Sequence, residues 1–466
     1  MQNQAIKYKA QFYIEELKAL FYFDTPLDTS FSISTDSRNI EKEQIFLPLQ
    51  GECFDGHDFI DQVIESGIKL SFCERKKISK VKEAHKPKLI LVHDTLEAYH
   101  LLAAYYRRKV NPTVIAVTGS SGKTTLKDLL ADVLATRYKT HKTEANFNNE
   151  FGVPKTILEM SPDTKVLILE LGMRAKGEIG YLARTANPDI AVITSIGTAH
   201  IGRLGSIEEI IKTKAEMLEY LKENGLAVLC NEPRLLDYAH DIWAGKTATV
   251  DLGYAKDISF QNGRSVFTLF ANGVTDERYS INALGNIHVL NSLFAILIGK
   301  YLGVTRECIH MALLDFKNSE GRGNIIKLRD DVYLIDESYN ANPDSVRIAV
   351  DTLMNCWSSD YRKILVLGEL AELGDCEESL LRALGEWLMT RGLSYVITVG
   401  DKLTQINNSP VVKNVRNIQE CCAILKGLLT PKTVALIKGS HVANLEKVIQ
   451  EFSKEYIAKW RVTNNH

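Results

Sequence analysis

The sequence predicts an α/β protein of about three domains, built on mostly parallel sheets covered by helices on both faces. Three observations carry that expectation. The chain has 466 residues, too many for one ordinary core. Short apolar runs alternate with amphipathic stretches, as strands joined by crossover helices do. The stretch "VIAVTGSSGKTTLKDLLADVL", 114–134, places strand, loop and helix in direct succession.

In chain order, residues 1–108 hold short strands such as Lys88 to His93 and the turn-rich "GECFDGHDFI", 51–60. Residues 109–318 carry the strand–loop–helix stretch and further strands at Val166 to Leu171 and Ile190 to Thr194. Residues 319–466 alternate again, with strands read at Val332 to Ile335, Ile364 to Leu367, Tyr395 to Val399 and Val434 to Ile437. The seam "KNSEGRGN", 317–324, is polar and glycine-bearing, as a linker should be.

Lys plus Arg is 56 and Asp plus Glu is 58, a net charge of −2 that favours neither a nucleic-acid nor a membrane partner. Eight cysteines are scattered without a C-x-x-C pair, which fits reduced thiols in a cytoplasmic setting better than a disulfide frame or a zinc site. Lys7, Lys9, Glu15, Glu16 and Lys18 interrupt the first residues, so no signal-peptide core is visible there. No uncharged apolar run is long enough to span a bilayer.

Val114 to Thr118 suits a buried strand, and Leu126, Leu129, Leu130, Val133 and Leu134 line one helix face. Between them, Gly119, Ser120, Ser121, Gly122, Lys123, Thr124 and Thr125 form a small-residue loop whose backbone N–H groups can face a phosphate at a helix N-terminus. Lys123 can reach terminal phosphates, and the Thr124 hydroxyl suits magnesium. The strict phosphate-loop pattern wants glycine where Val117 stands, so this is a shortened variant. A bare strand–helix turn with a surface lysine would not require all these parts in this order.

Three further residues stand out. Glu170 sits inside the apolar run "VLILELGM", where an unpaired carboxylate is costly. It is either a metal ligand at a strand's carboxyl end or an acid satisfied by an arginine or a helix terminus. His200 lies in a Gly-rich loop after a second strand of the same domain. Ser206 with Glu209 reads as a capping box starting a helix, whose apolar stripe is Ile207, Ile210, Ile211, Met217, Leu218 and Leu221. Lys214 falls on that stripe and Lys212 does not. An inward lysine can snorkel, pair with an acid, or lose its charge and work as a neutral amine, which carbon dioxide can convert to a carbamate.

The motifs "TGSSGKTT", "EANFNNEFGVP", "LELGMR", "TSIGTAHIGRLGS", "KAEM", "DESYNANPDSV", "LVLGELAELG" and "ALIKGSH" run in order along the chain and together resemble the Mur ligases. So does "STDSRNI…IFLPLQGECFDGHDFI", 34–60. The resemblance implies an N-terminal uridine-nucleotide-binding α/β domain, a central P-loop-type ATPase domain and a C-terminal Rossmann-like domain. It implies ATP-dependent ligation of D-alanyl-D-alanine to UDP-N-acetylmuramoyl-tripeptide through an acyl phosphate, in a cytoplasmic monomer. Thr124 and Glu170 would hold one Mg²⁺. His200 and carbamylated Lys214 would serve a second, with Lys123 on the phosphates. Adenine and ribose contacts carry over to Asn291, Arg322, Asp336 and Glu337. Ser37, Arg38, Asp55, Gly56 and His57 would hold the uridine nucleotide end, and Asn148 and Asn149 its peptide. Tyr339, Asn340 and Asn342 would face the interdomain cleft, with Asn342 capping a helix that begins at Pro343 and carries Asp344 in its first turn.

The chain departs from the family pattern at Ile287-His288, where His-Asn is usual, and at Glu337, where Asp is usual. It departs again at Glu369-Leu370, Leu381 and His441. Rival readings are a Mur-type or folylpolyglutamate ligase with another acceptor, a phosphate-loop NTPase that makes no bond, and a non-catalytic relative. Dependence of ATP turnover on small acceptors separates the ligases from the NTPase.

Overall fold

The computed structural model describes residues 9–261, 263–270, 277–406 and 411–463. Lys7 lies outside the described residues. Four sheets form. The first orders Phe12–Tyr13, Ser30–Ser34, Gln44–Phe46, Ser71–Glu74 and Leu89–Val92, antiparallel only at its first pair. The helix Thr95–Val110 leads on into the second sheet.

That second sheet is parallel throughout, in the spatial order Lys246–Val250, Leu226–Cys230, Ile190–Ile193, Thr113–Thr118, Val166–Glu170 and Thr140–Lys142. Its central strands are buried on both faces, hence their continuous apolar composition. The chain leaves strand 113–118 on one side and returns on the other, which makes that strand's carboxyl end a switch point where ligands seat. A separate antiparallel sheet, Ala255–Gln261, Arg264–Leu269 and Glu277–Ile281, was not anticipated.

The last sheet orders Asn324–Arg329, Val332–Glu337, Thr433–Lys438, Arg362–Gly368, Tyr395–Val399 and Val412–Val415, antiparallel only at its first pair. Alternate residues feed two cores. Leu365 and Leu367 enter one, and Ile364 and Val366 the other. By contrast, one apolar core runs unbroken from Ala10 through the central sheet to Phe316. The first and second sheets are therefore fused by packing, although the first keeps a further core around Phe46, Ile60 and Ile64, whereas the last shares no core with either.

The helix after the phosphate loop spans Lys123–Ala135. The helix carrying Lys214 spans Ile207–Ala215 and then tightens into a 3-10 turn, Glu216–Tyr220. Only half of its expected capping box forms. Ser206 Oγ accepts from Glu209 N at 3.2 Å, but the Glu209 carboxylate pairs with Lys176 at 2.6 Å and Lys212 at 3.3 Å instead of returning to the cap.

Candidate active site

Three neighbouring strands of the central sheet end at one place. Val117 pairs with Glu170, and Thr118 with Ile193, so the phosphate loop, Glu170 and the segment 194–200 emerge side by side. The last sheet turns its own carboxyl edge toward them, with Glu337 beside Lys438. Between the two edges lies a cavity of about 640 Å³, reached also by Thr35 and Leu49 of the first sheet's loops. It is lined by Gly119 to Thr125, Asn148, Asn149, Glu170, His200, Lys214, Arg322, Glu337, Tyr339, Asn340 and Asn342.

The phosphate loop is held from behind. Thr194 Oγ donates to Ser121 O at 2.6 Å. Ser195 Oγ accepts from Ser121 N at 2.8 Å and donates to Ser121 O at 3.1 Å. Ser120 N donates to Ser195 O at 2.9 Å. The amides of Ser120 and Ser121 are thus committed to the 194–195 segment and are not among the N–H groups free to face a phosphate. The amides left for an anion include those of the first helical turn, from Lys123 on. Gly119, at φ +150°, has no room for a side chain. A Cβ there would come within 2.0 Å of Thr194 Oγ.

Lys123 Nζ donates to Gly119 O at 2.7 Å. Burial lowers its pKa, opposed by the charge of Glu170 and reinforced by that of Arg322. Glu170 is buried, with Oε1 accepting from Asn148 Nδ2 at 2.9 Å and Oε2 without a hydrogen-bond partner among the described residues. The helix delivers Lys214 inward, only 1 % exposed, and Nζ lies 3.9 Å from Met173 Sδ. Desolvation, then the charge of Lys123, hold the Lys214 pKa well below the ordinary lysine value. Of the three open readings for Lys214, the snorkelling and acid-paired forms do not occur. His200, at φ +66°, places Nδ1 2.6 Å from Glu372 Oε2 of the last sheet's loops. That contact holds the Glu372 carboxyl below its usual range, as do Arg203 and Arg174. Nε2 of His200 is then the nitrogen available to a ligand.

Across the cavity, the paired acids divide their work. Asp336 Oδ1 accepts from Ser338 N and Oγ, and Oδ2 from Gly321 N, so Asp336 is used up in folding the linker. Glu337 lines the cavity, 3.1 Å from Lys438 Nζ. Arg322 lies 4.4 Å from the centroid of the Tyr339 ring. Asn342 caps Pro343–Cys356 by accepting from Ser345 N at 2.8 Å. Asn149 Oδ1 likewise accepts from Gly152 N at 3.0 Å. Asn291 is buried behind the loop, where a Gly122 Cβ would meet its Oδ1 at 3.1 Å, and it does not line the cavity. His288 does line it, buried, with Nδ1 lacking a hydrogen-bond partner among the described residues.

The first-domain candidates lie outside the cavity lining. Arg38 is exposed and pairs with Asp36 at 2.9 Å, close to Ser37. Asp55 caps the turn by accepting from His57 N, and Gly56 packs against Leu49. The His57 ring is buried between Asp55, at 2.7 Å from Nδ1, and Glu74 N, which donates to Nε2 at 3.2 Å. With both ring nitrogens engaged, His57 supports the turn and offers no free nitrogen to a ligand.

Residues that sequence reasoning passed over include Thr194, Ser195, Glu372 and Lys438. Lys438 carried a readable signal, a lysine closing an apolar strand in the way Glu170 does.

Three family models match in order: "Mur ligase family, catalytic domain" over 31–107, "Mur ligase middle domain" over 117–299, and "Mur ligase, glutamate ligase domain" over 321–441. A UDP-N-acetylmuramoyl-tripeptide–D-alanyl-D-alanine ligase of Bacillus subtilis (strain 168) is 38 % identical over 79 % of this chain and 79 % of its own length. The crystal structure of MurF from Acinetobacter baumannii superposes with a TM-score of 0.87 at 28 % identity, covering 96 % of this chain and 99 % of that one. MurF ligase from Thermotoga maritima, in complex with ADP, gives 0.84 at 26 % identity, over 92 % and 98 %.

Proposed function

The chain belongs to the Mur ligase family, and we propose that it joins D-alanyl-D-alanine to UDP-N-acetylmuramoyl-tripeptide at the expense of ATP. The products are the UDP-linked pentapeptide, ADP and phosphate. The observation that carries this reading is the single cavity on which the phosphate loop, the buried Glu170 and Lys214, and the Tyr339–Asn342 turn converge.

A carboxylate is a poor acyl donor because oxide is a poor leaving group. The γ-phosphoryl group passes from ATP to the tripeptide carboxylate and makes an acyl phosphate. The amine of D-alanyl-D-alanine then attacks the acyl carbon, phosphate leaves, and the amine proton goes to solvent or a nearby base. Much of the protein's work is to hold anions together. Lys123 and the amides of the first turn of helix 123–135 offset the phosphate charge. Asn148 fixes Glu170, and Glu337 with Lys438 presents a charged pair to the nucleotide's sugar side.

Glu170 and Thr124 fit a magnesium ion, since a buried carboxylate oxygen with no protein partner is a hard ligand in waiting. His200 and a carbamylated Lys214 fit a second. Magnesium would neutralise charge on the transferring phosphoryl group. The carbamate forms when neutral Lys214 Nζ attacks carbon dioxide and releases a proton. The chain acts on small molecules as a cytoplasmic monomer, with domain boundaries near 108 and 318. No helix among the described residues is long and apolar enough to cross a membrane.

The test is phosphate release from ATP with each substrate omitted in turn. Release only with both present, and a mass shift to the pentapeptide, is the expected result. Release with neither substrate would return the chain to the NTPases. Release only with another amine would change the acceptor and keep the chemistry.

A further inference from the structure

The segment 194–200 touches the last domain as well as the phosphate loop. Asp344 Oδ2, in the first turn of helix 343–356, accepts from Thr198 N at 2.6 Å and from Thr198 Oγ at 2.8 Å. One residue earlier, Gly197 N donates to Ser120 Oγ at 2.9 Å, and Ser120 Oγ in turn donates to Gly197 O at 3.2 Å. The junction is tight on both sides. A Cβ on Gly197 would stand 2.7 Å from Asp344 Oδ2 and 3.5 Å from Ser120 Cβ. Two residues of backbone therefore separate a carboxylate of the last domain from the first serine of the phosphate loop. Thr198 is only partly buried, and the Asp344 side chain is 34 % exposed, so the contact can open without exposing a core.

We propose that Asp344 is a positioning residue that registers the last domain against the phosphate loop through Thr198, Gly197 and Ser120. With the domain seated, the carboxylate anchors Thr198, Gly197 stays against Ser120, and the loop holds the shape in which the first-turn amides face the nucleotide. With the domain withdrawn, the anchor is lost and the loop is held only by Thr194 and Ser195. Nucleotide affinity thereby depends on a contact that no part of the nucleotide touches. The proposal rests on the nucleotide seat of the function proposed above and on no other part of it.

The test is a double-mutant cycle on the full chain, Thr198→Val, Asp344→Ala and the pair, read by calorimetric titration with a non-hydrolysable ATP analogue and Mg²⁺. Each single change is expected to weaken analogue binding on the order of 10-fold, with the double variant no weaker than the weaker single. The KM for the UDP-tripeptide should stay within about twofold of wild type, and Asp344→Asn, which keeps one acceptor, should recover part of the loss. Unchanged analogue affinity in both singles overturns the proposal, as do independent, multiplying losses in the double. A parallel loss of both ligands with a lower Tm also overturns it, because that marks a general structural role. Gly197→Ala, which wedges the junction without removing a hydrogen-bonding group, should reproduce the affinity loss. Binding is read without turnover, so a wild-type chain that binds the analogue but forms no amide would end the ligase reading and leave this one intact.

Discussion

The carboxyl edge of the central sheet and the Asp55–His57 turn of the first domain both bury polar groups, yet they bury them differently. At the turn the polar groups are paired with one another, the Glu74 carboxylate through ion-pair contacts with Lys76 and Lys77. His57 has a partner at each nitrogen, and Lys77 bridges Asp55 at 3.0 Å and Glu74 at 3.2 Å. At the sheet edge valences are open. Among the described residues Glu170 Oε2 has no hydrogen-bond partner, and the hydrogen-bonding contact of Lys214 Nζ is a thioether at 3.9 Å. Burying an unpaired polar group costs free energy that folding alone does not return. The filled network is therefore read as scaffold and the unfilled one as a seat for something the chain does not itself supply.

The largest expected effect tests the unfilled side. Lys214→Met keeps the stem and removes the amine. Turnover should fall at least about 1,000-fold, roughly 4 kcal/mol in barrier, while stability to urea should hold or rise, since a poorly partnered buried amine is gone. Wild-type activity should also fall in carbon-dioxide-free buffer and return with bicarbonate. A Lys214→Met enzyme that turns over normally would end the carbamate assignment. Next comes Glu170→Gln, expected to cost roughly 100-fold in kcat, about 3 kcal/mol, with a raised magnesium requirement and no loss of stability. A variant that unfolds instead would place Glu170 with the scaffold and erase the contrast.

The converse variant is His57→Ala. Removing a buried ring with two filled hydrogen bonds leaves Asp55 and Glu74 N short of partners and should cost about 2–3 kcal/mol in urea unfolding. The kcat should change little at saturating substrate. An unaltered Tm with a large rise in KM for the UDP-substrate would restore His57 as a nucleotide contact and break the comparison from the other side.

The sequence made these two regions unequal to read. The sheet edge announced itself in contiguous signals: a loop between strand and helix, an acid in an apolar strand, a lysine on a helical stripe. Lys214 pointed inward because helix 207–215 keeps its period as far as Ala215. The supports behind the loop gave no such signal. Ser195 reaches Ser121 across 74 residues, and Glu372 reaches His200 from another domain. Strand alternation does separate Asp336 from Glu337, yet which of them faces the cavity depends on the turn at Gly321 that claims Asp336. The antiparallel sheet at 255–281 was missed because its strands are edge-like and only partly buried. At the Asp55–His57 turn the residues were picked out by resemblance, and the packing that engages His57 could not be seen before Glu74 N was placed beside it.

His288 belongs to neither class, and it gives the smallest expected effect. Its ring is buried, Nδ1 is unpartnered, and desolvation pushes its pKa down to about 4, with Glu337 opposing. The unfolded chain titrates near 6.5 and so binds more protons than the folded one between these values. The ring's contribution to stability is therefore lost as pH falls from about 6.5 toward 4, and it is flat above that window. At pH 5 the loss amounts to about 2 kcal/mol relative to pH 8. His100, also pushed down to about 4 by burial, acts in the same direction and leaves a shared background slope. His288→Asn should remove its own share of that slope and leave the rest, so urea midpoints of wild type and variant should converge at pH 5 relative to pH 8. A nucleotide that binds only the neutral ring would add its own dependence in the same window. Equal slopes in the two proteins would mean that His288 is charged or hydrated in the fold, and its open nitrogen would then be no seat at all.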